Sequence, residues 1–164
     1  MIEKGVIWMR ILVISDSHGR KGNLFDIIEK HIDDTDLFIS LGDCNDGDDF
    51  EDAEIYFGKK FNLKRVAGNT DWYSTMPTVS IIEANSKKVM FCHGHTFNVK
   101  FGYDMIINEA KKQKVDIVLF GHTHTPYRDY IDGIHFLNPG AVCDGKYGMV
   151  DITNAGIVTI NATL

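Results

Sequence analysis

Short apolar runs alternate with polar turns along the first half of the chain. Residues 10–15 (RILVIS) are an uninterrupted apolar run of strand length, the pattern of a strand buried on both faces, and the polar stretch DSHGRKGN follows. Behind Asn23, which reads as an N-cap, Leu24, Phe25, Ile27, Ile28 and Ile32 recur at helical spacing and predict an amphipathic helix. LFISLGD repeats the strand-to-turn junction, FEDAEIYF carries a weaker helical pattern, and NLKRVAGNTD ends in a third junction. Strands alternating with helices imply parallel pairing through right-handed crossovers.

The second half changes character. TVSIIEA and KKVMFC flank the turn NSK and predict an antiparallel hairpin, before a helix (YDMIINEAKKQK) and a strand (DIVLF). Beyond Pro126 the pattern is almost all strand: YRDYI, IHFLN, YGMVDI and GIVTIN are separated by turn signals at Asp132-Gly133, Asn138-Pro139-Gly140 and Asn154-Ala155-Gly156. The expected class is α/β, with two packed mixed β-sheets flanked by helices.

Composition narrows the setting. The 164 residues fit one domain, 1–164, with enough chain to bury about two thirds of its unfolded surface. Hydrophobic content is 44% and charged content 24%, and no apolar run approaches the ~20 residues of a membrane span. The net charge of -6 repels nucleic acid, and the one basic cluster, KKQK at residues 111–114, suits a helix C-terminus. Neither a nucleic-acid surface nor a membrane is expected, and the oligomeric state stays open, a homo-oligomer included. Cys44, Cys92 and Cys143 lack CxxC spacing and a secretion signal, so reduced thiols in a cytoplasmic protein are expected. Met9 directly precedes the first strand; residues 1–8 read as an extra segment and Met9 as the native start.

The chemistry gathers just past the strand ends, where ligands bind in open α/β sheets. Asp16 and His18 follow the first strand, Asp43 the second, Asn69 the third, His93 and His95 the hairpin, and His122 and His124 the run VLF. Carboxylate, imidazole and amide oxygen suit borderline-hard divalent metals such as Mn, Fe, Zn or Ni, and seven or more such groups exceed what one ion takes. In an extended segment, residues one apart face the same side, so the pairs in DSH and HTH are expected to point into one cluster. Gly42, Gly68 and Gly121 precede these groups and leave room for tight turns or close backbone approach.

The blocks DSH, GDC, GNTD, HGH and GHTH resemble, in order, the five motifs of the calcineurin-like metallophosphoesterases. The resemblance runs from Met9 nearly to the C-terminus. Chain length and the NPG at residues 138–140 make it similar to the small bacterial and archaeal phosphodiesterases of that superfamily. It implies the αββα sandwich of the family. It also implies a first metal held by Asp16, His18 and His124, a second by Asn69, His93 and His122, and Asp43 bridging them. His95 falls at a position near the substrate phosphate, so Asp43, Asn69 and His95 are the expected catalytic residues. Mn is the favoured ion, with Zn, Fe or Ni as other candidates. The implied activity is hydrolysis of a small phosphodiester through a metal-bound hydroxide, as ions ~3.5 to 4 Å apart can support. A monoesterase acting on a small metabolite is the alternative.

Several residues carry other readings. His31 and His135 lie outside every block and read as ordinary hydrogen-bonded side chains. DCNDGDDFED mimics a calcium loop through Asp43, Asn45 and Glu54, but Gly47 and Asp48 occupy the positions that need a ligand and a glycine. Cys44 and Cys92 read as buried thiols. Many family members carry a leaving-group histidine after the Asn of the third block; Thr70 stands there, leaving Asp71 to brace the loop. The arginines beside the second and third blocks of protein phosphatases are missing. The rival class is a binding scaffold like the retromer subunit that shares the fold but has lost ligands; here the full ligand set is present.

Overall fold

A computed structural model describes residues 8–44 and 48–164. The reading of residues 1–8 as an extra segment rests almost wholly outside the described residues, as do Asn45 and Gly47 of the calcium-loop comparison.

Two five-stranded mixed sheets make the centre of the molecule. The first has the order β10-β9-β1-β2-β3, from β1 (Met9–Ile14), β2 (Leu37–Ser40), β3 (Leu63–Arg65), β9 (Lys146–Thr153) and β10 (Gly156–Thr163). The second has the order β4-β5-β6-β8-β7, from β4 (Val79–Ala84), β5 (Lys87–Cys92), β6 (Ile117–Phe120), β7 (Tyr127–Ile131) and β8 (Ile134–Asn138). Each sheet holds a parallel trio: β1-β2-β3 carries the antiparallel pair β9-β10 on the β1 side, and β5-β6-β8 is flanked by antiparallel β4 and β7.

Strand alternation divides the apolar residues between layers. Ile11, Val13, Leu37, Ile39, Val89, Phe91, Ile117 and Leu119 form the core between the sheets. On the outer face of the first sheet, Leu12, Ile14 and Phe38 pack against Leu24, Ile27 and Ile28 of α1 (Lys21–His31) and Phe50 and Ala53 of α2 (Asp48–Phe57). On the outer face of the second, Met90, Val118 and Phe120 pack against Ile106 and Ala110 of α3 (Asp104–Gln113). The αββα layering matches the sequence expectation.

Two local expectations resolve differently. The hairpin between β4 and β5 forms, and Asn85 and Ser86 turn it with φ of 47° and 64°, the left-handed pair that suits the twist of flanking strands. Asn23, by contrast, is not the N-cap: α1 begins at Lys21, and the Asn23 amide donates to Val142 O at 2.9 Å. A distant carbonyl takes the side chain that the local helix end was expected to use.

Candidate metal centre

Backbone hydrogen bonds lace the C-terminal ends of the strands together. Asp16 N–H donates to Gly42 O, His18 N–H to Asp43 O, and Gly121 N–H to His93 O, at 2.8–3.1 Å. The loops after β1 and β2, and those after β5 and β6, are therefore fixed in pairs, and the donor side chains they carry form two groups.

In the first group Asp16 Oδ1 lies 3.1 Å from His124 Nε2 and 3.4 Å from His18 Nε2, and the two nitrogens are 3.2 Å apart. In the second, His93 Nε2 lies 3.3 Å from Asp43 Oδ2 and 3.1 Å from His122 Nδ1. The groups abut: Asp43 Oδ2 is 3.9 Å from His18 Nε2, and Asp16 Oδ1 is 3.8 Å from His93 Nε2. Both carboxylates thus stand on the seam.

Outer contacts turn His93, Asp16 and Asp43 inward. The only role open to Leu41 O is acceptor, so its 2.8 Å contact makes His93 Nδ1 the donor and turns Nε2 toward the seam. Asp16 Oδ2 accepts from Ser15 Oγ at 2.6 Å and His122 N–H at 3.2 Å, which leaves Oδ1 inward. Asp43 Oδ1 accepts Thr70 N–H at 2.9 Å, leaving Oδ2 inward. Asp71 braces the same loop, its Oδ2 accepting Asp43 N–H and Gly68 N–H, each at 2.7 Å. Asn138 Nδ2 bridges Gly121 O at 2.9 Å and Thr123 Oγ1 at 3.0 Å, holding the loop of His122 and His124.

These residues fit divalent ions. Asp16 Oδ1 is buried and has no hydrogen-bond partner among the described residues. A buried carboxylate oxygen facing imidazole nitrogens is costly unless a cation or proton stands between them. The oxygen and nitrogen donors are those of Mn, Fe, Zn and Ni.

The backbone reaches this arrangement differently from the extended geometry expected of DSH and HTH. Asp16, His18, Asp43, His122 and His124 have φ of 56°, 43°, 55°, 69° and 60°. The strands have already ended, at Ile14 and Phe120, and left-handed residues swing the chain back so that alternate side chains converge. Asp and His are among the few non-glycine residues enriched in this region. Space is equally tight: a Cβ on Gly121 would sit 2.1 Å from Ser15 Oγ, and one on Gly68 would sit 2.1 Å from Asp43 Oδ1. The close-approach reading of these two glycines holds.

Charge is tuned along with position. Burial opposes ionisation of Asp43, but His93 and the Thr70 amide outweigh it and hold the carboxyl well below the usual range. Burial opposes protonation of His93, and Asp43 and Asp16 more than offset it. Burial, then the charges of His93 and Lys100, push His122 down to about 4. His122 therefore keeps a free lone pair at neutral pH.

The remaining expected residues are also nearby. Asn69 is exposed, between Gly68, whose amide donates to Asp71 Oδ2, and Thr70, whose amide donates to Asp43 Oδ1. The His95 ring lies 5.5 Å from that of His93 and 6.1 Å from that of His122, and its Nδ1 is buried without a partner among the described residues. His31 and His135 stay outside: His31 Nε2 meets Tyr147 Oη at 2.9 Å, and His135 packs on Tyr130. Cys44 and Cys92 are buried, with thiols pushed up by burial to about 11 and about 12. The sequence reading missed Ser15, Lys100 and the bracing role of Asn138. Ser15 had a signal, a hydroxyl ending an apolar strand next to the first Asp; Lys100 had none, since it lies outside every block.

The sequence model of the calcineurin-like phosphoesterase superfamily domain matches residues 9–160. A probable metallophosphoesterase of Bacillus subtilis is 29% identical over 134 residues, covering 82% of this chain and 75% of that one. A phosphodiesterase of Methanocaldococcus jannaschii is 26% identical over 164 residues, covering 88% of this chain and 90% of that one. The crystal structure of a conserved protein of Streptococcus pneumoniae, described as a predicted phosphoesterase, superimposes with a TM-score of 0.79 at 26% identity, covering 95% of this chain and 90% of that one. Vacuolar protein sorting 29 of Cryptosporidium parvum, at 15% identity and a TM-score of 0.74 over 96% of this chain and 99% of that one, shares the fold.

Proposed function

The chain belongs to the calcineurin-like phosphoesterase superfamily, and on that premise we propose that it is a phosphodiesterase using two divalent ions, with Mn the favoured pair. The observation that carries this reading is the seam between the two donor groups, where Asp16 Oδ1 and Asp43 Oδ2 each lie within 3.9 Å of histidines from both. Asp16, His18 and His124 would hold one ion, Asn69, His93 and His122 the other, and Asp43 both. Bound there, a metal pair supplies a nucleophile from water at neutral pH and a clamp on a phosphoryl oxygen.

The chain's own residues supply the rest. Ser15 and the His122 amide fix the Asp16 carboxylate, Leu41 O fixes the His93 tautomer, and Thr70 N–H fixes Asp43. His95 stands at the rim, where its ring can donate to a phosphate oxygen. A cytoplasmic location, a small substrate and one catalytic domain spanning the chain complete the proposal.

Charge favours a diester. Two divalent ions beside the carboxylates of Asp16 and Asp43 leave about +2, reduced by one when the attacking water gives up its proton. A diester monoanion balances that sum, whereas a monoester dianion overshoots it. Arg10 pairs with Asp151, Arg65 lies over Phe50 and Arg128 donates to Thr159 O, while the charge of Arg20 is felt at Cys143, beside the first donor group, and narrows the preference. Lys100, whose charge is felt at His122, narrows the preference without reversing it. With Mn at neutral pH, kcat/KM for bis(nitrophenyl) phosphate is expected to exceed that for nitrophenyl phosphate; the opposite order would make the monoesterase reading the correct one. The scaffold reading has the shared fold in its favour, and a purified protein holding no metal and hydrolysing neither ester would establish it.

A further inference from the structure

The phosphoesterase reading leaves Cys143 and Asp144 without a role. Both belong to the short 3-10 turn Val142–Asp144, which is fastened against the end of β1. Val142 N–H donates to Ser15 O at 2.8 Å, Cys143 N–H to Asp16 O at 3.2 Å, and the Asn23 amide reaches Val142 O at 2.9 Å and Cys143 O at 3.4 Å. The turn is thereby held beside the first donor group. The Cys143 sulfur, an Asp144 carboxylate oxygen and a His124 ring nitrogen all lie within 4.8 Å of one another.

We propose that Cys143, Asp144 and His124 form a third cation site, selective for thiophilic ions such as Zn²⁺ and Cd²⁺, which competes with the Asp16–His18 pocket for His124. Thiolate, imidazole and carboxylate together are a zinc-type donor set, whereas Mn²⁺ prefers oxygen and nitrogen. Donors bound 2.0–2.3 Å from a tetrahedral zinc stand about 3.3–3.8 Å from one another, so small side-chain rotations close the site. Access also singles out this thiol: Cys143 is partly exposed, and Cys44 and Cys92 are buried. As the metal–sulfur bond forms, the thiol proton passes to solvent, and water completes the coordination.

Competition follows from the imidazole. A neutral histidine has one lone pair, so His124 serves one ion at a time. An ion held by Cys143 and Asp144 removes a ligand from the pocket that Asp16 and His18 share with it. A thiophilic ion therefore inhibits the enzyme even while Mn remains abundant. This inhibitory consequence rests on the phosphoesterase reading, but the metal–sulfur bond does not.

Titration of the purified protein with Co²⁺ tests the bond directly. Cobalt also enters nitrogen and oxygen pockets, but only a cobalt–thiolate bond gives an intense near-ultraviolet charge-transfer band. That band is expected in the parent, absent in Cys143→Ser, and reached only at higher cobalt concentration in Asp144→Asn. Losing a ligand costs at least what losing an outer-shell partner does, about 10- to 100-fold in affinity. No band in the parent, or an equal band in Cys143→Ser, overturns the site. Zn²⁺ is then expected to inhibit Mn-supported ester hydrolysis by the parent at concentrations about tenfold below those needed for Cys143→Ser. A band without that difference overturns the competition. A parent that hydrolyses no phosphate ester defeats the phosphoesterase reading, while the cobalt band still decides the thiolate site.

Discussion

Asp43→Asn is expected to lower turnover by about 100-fold or more and to deplete bound metal, a larger loss than removal of a peripheral donor such as His18, since even an outer-shell partner is worth about 10- to 100-fold. The substitution is nearly isosteric, and the left-handed backbone at this position, φ 55°, suits Asn as well as Asp. An Asn oxygen can still accept the Thr70 amide that now meets Asp43 Oδ1 at 2.9 Å, so the turn survives. What disappears is a negative charge on the seam, at an oxygen 3.3 Å from His93 and 3.9 Å from His18. Among the described residues the remaining carboxylate on the seam is Asp16, which already faces three histidines. Elemental analysis together with turnover checks the expectation. Two tightly held metals with near-parental rates in Asp43→Asn would contradict the bridging role.

The rate is also expected to fall steeply as the leaving group worsens, with nitrophenyl esters far ahead of alkyl esters. A positioned proton donor typically contributes ~10² to 10⁴ in rate, and Thr70 stands where many relatives by motif carry one. Its amide is committed to Asp43, its side chain is exposed, and a hydroxyl is a poor acid at neutral pH. Thr70→His should flatten the dependence by restoring an imidazole at that turn. A series of aryl and alkyl phosphodiesters, with single-turnover measurements confirming that chemistry limits the rate, provides the check. Equal rates across the series in the parent would require another donor. His95, whose ring lies 5.5 Å from that of His93, is the group placed to be that donor.

How much of this was written in the sequence depends on the distance over which each feature is encoded. Buried strands announce themselves locally: Ile11–Ile14 and Ile117–Phe120 are apolar runs because both of their faces are covered. Most donor residues were legible for the same reason, since each follows such a run within a few positions; Asn69 follows the partly exposed β3 and was marked by its motif instead. Sheet membership was not. The pairing of β1 with β9 joins residues about 140 apart, and β8 enters between β6 and β7 without leaving a local pattern. The misassigned cap at Asn23 is the same failure in miniature, because its acceptors lie 119 and 120 residues away. The HTH spacing carried the correct conclusion on an incorrect backbone: His122 and His124 do face one cluster, but through left-handed turns in place of an extended strand. Cys143 was read only as a reduced thiol and Asp144 not singled out, because the turn that brings them near His124 belongs to no motif.

The left-handed backbone at Asp16, His18, Asp43, His122 and His124 also bears on the evolution of such a chain. Each non-glycine residue held there costs roughly 1–2 kcal/mol relative to a glycine free to adopt the same φ. Replacing any of these ligands by glycine therefore relieves the backbone while destroying a donor. Selection for hydrolysis must hold all five against that gradient at once. A lineage released from it can lose the more exposed ligands His18 and His124 first, where the relieved backbone offsets what little the side chain contributed to stability, while Asp16 and Asp43 stay anchored by Ser15 and Thr70 and both sheets stay intact. The return path must restore left-handed, non-glycine donors against that strain, so catalysis on this frame is easier to abandon than to recover.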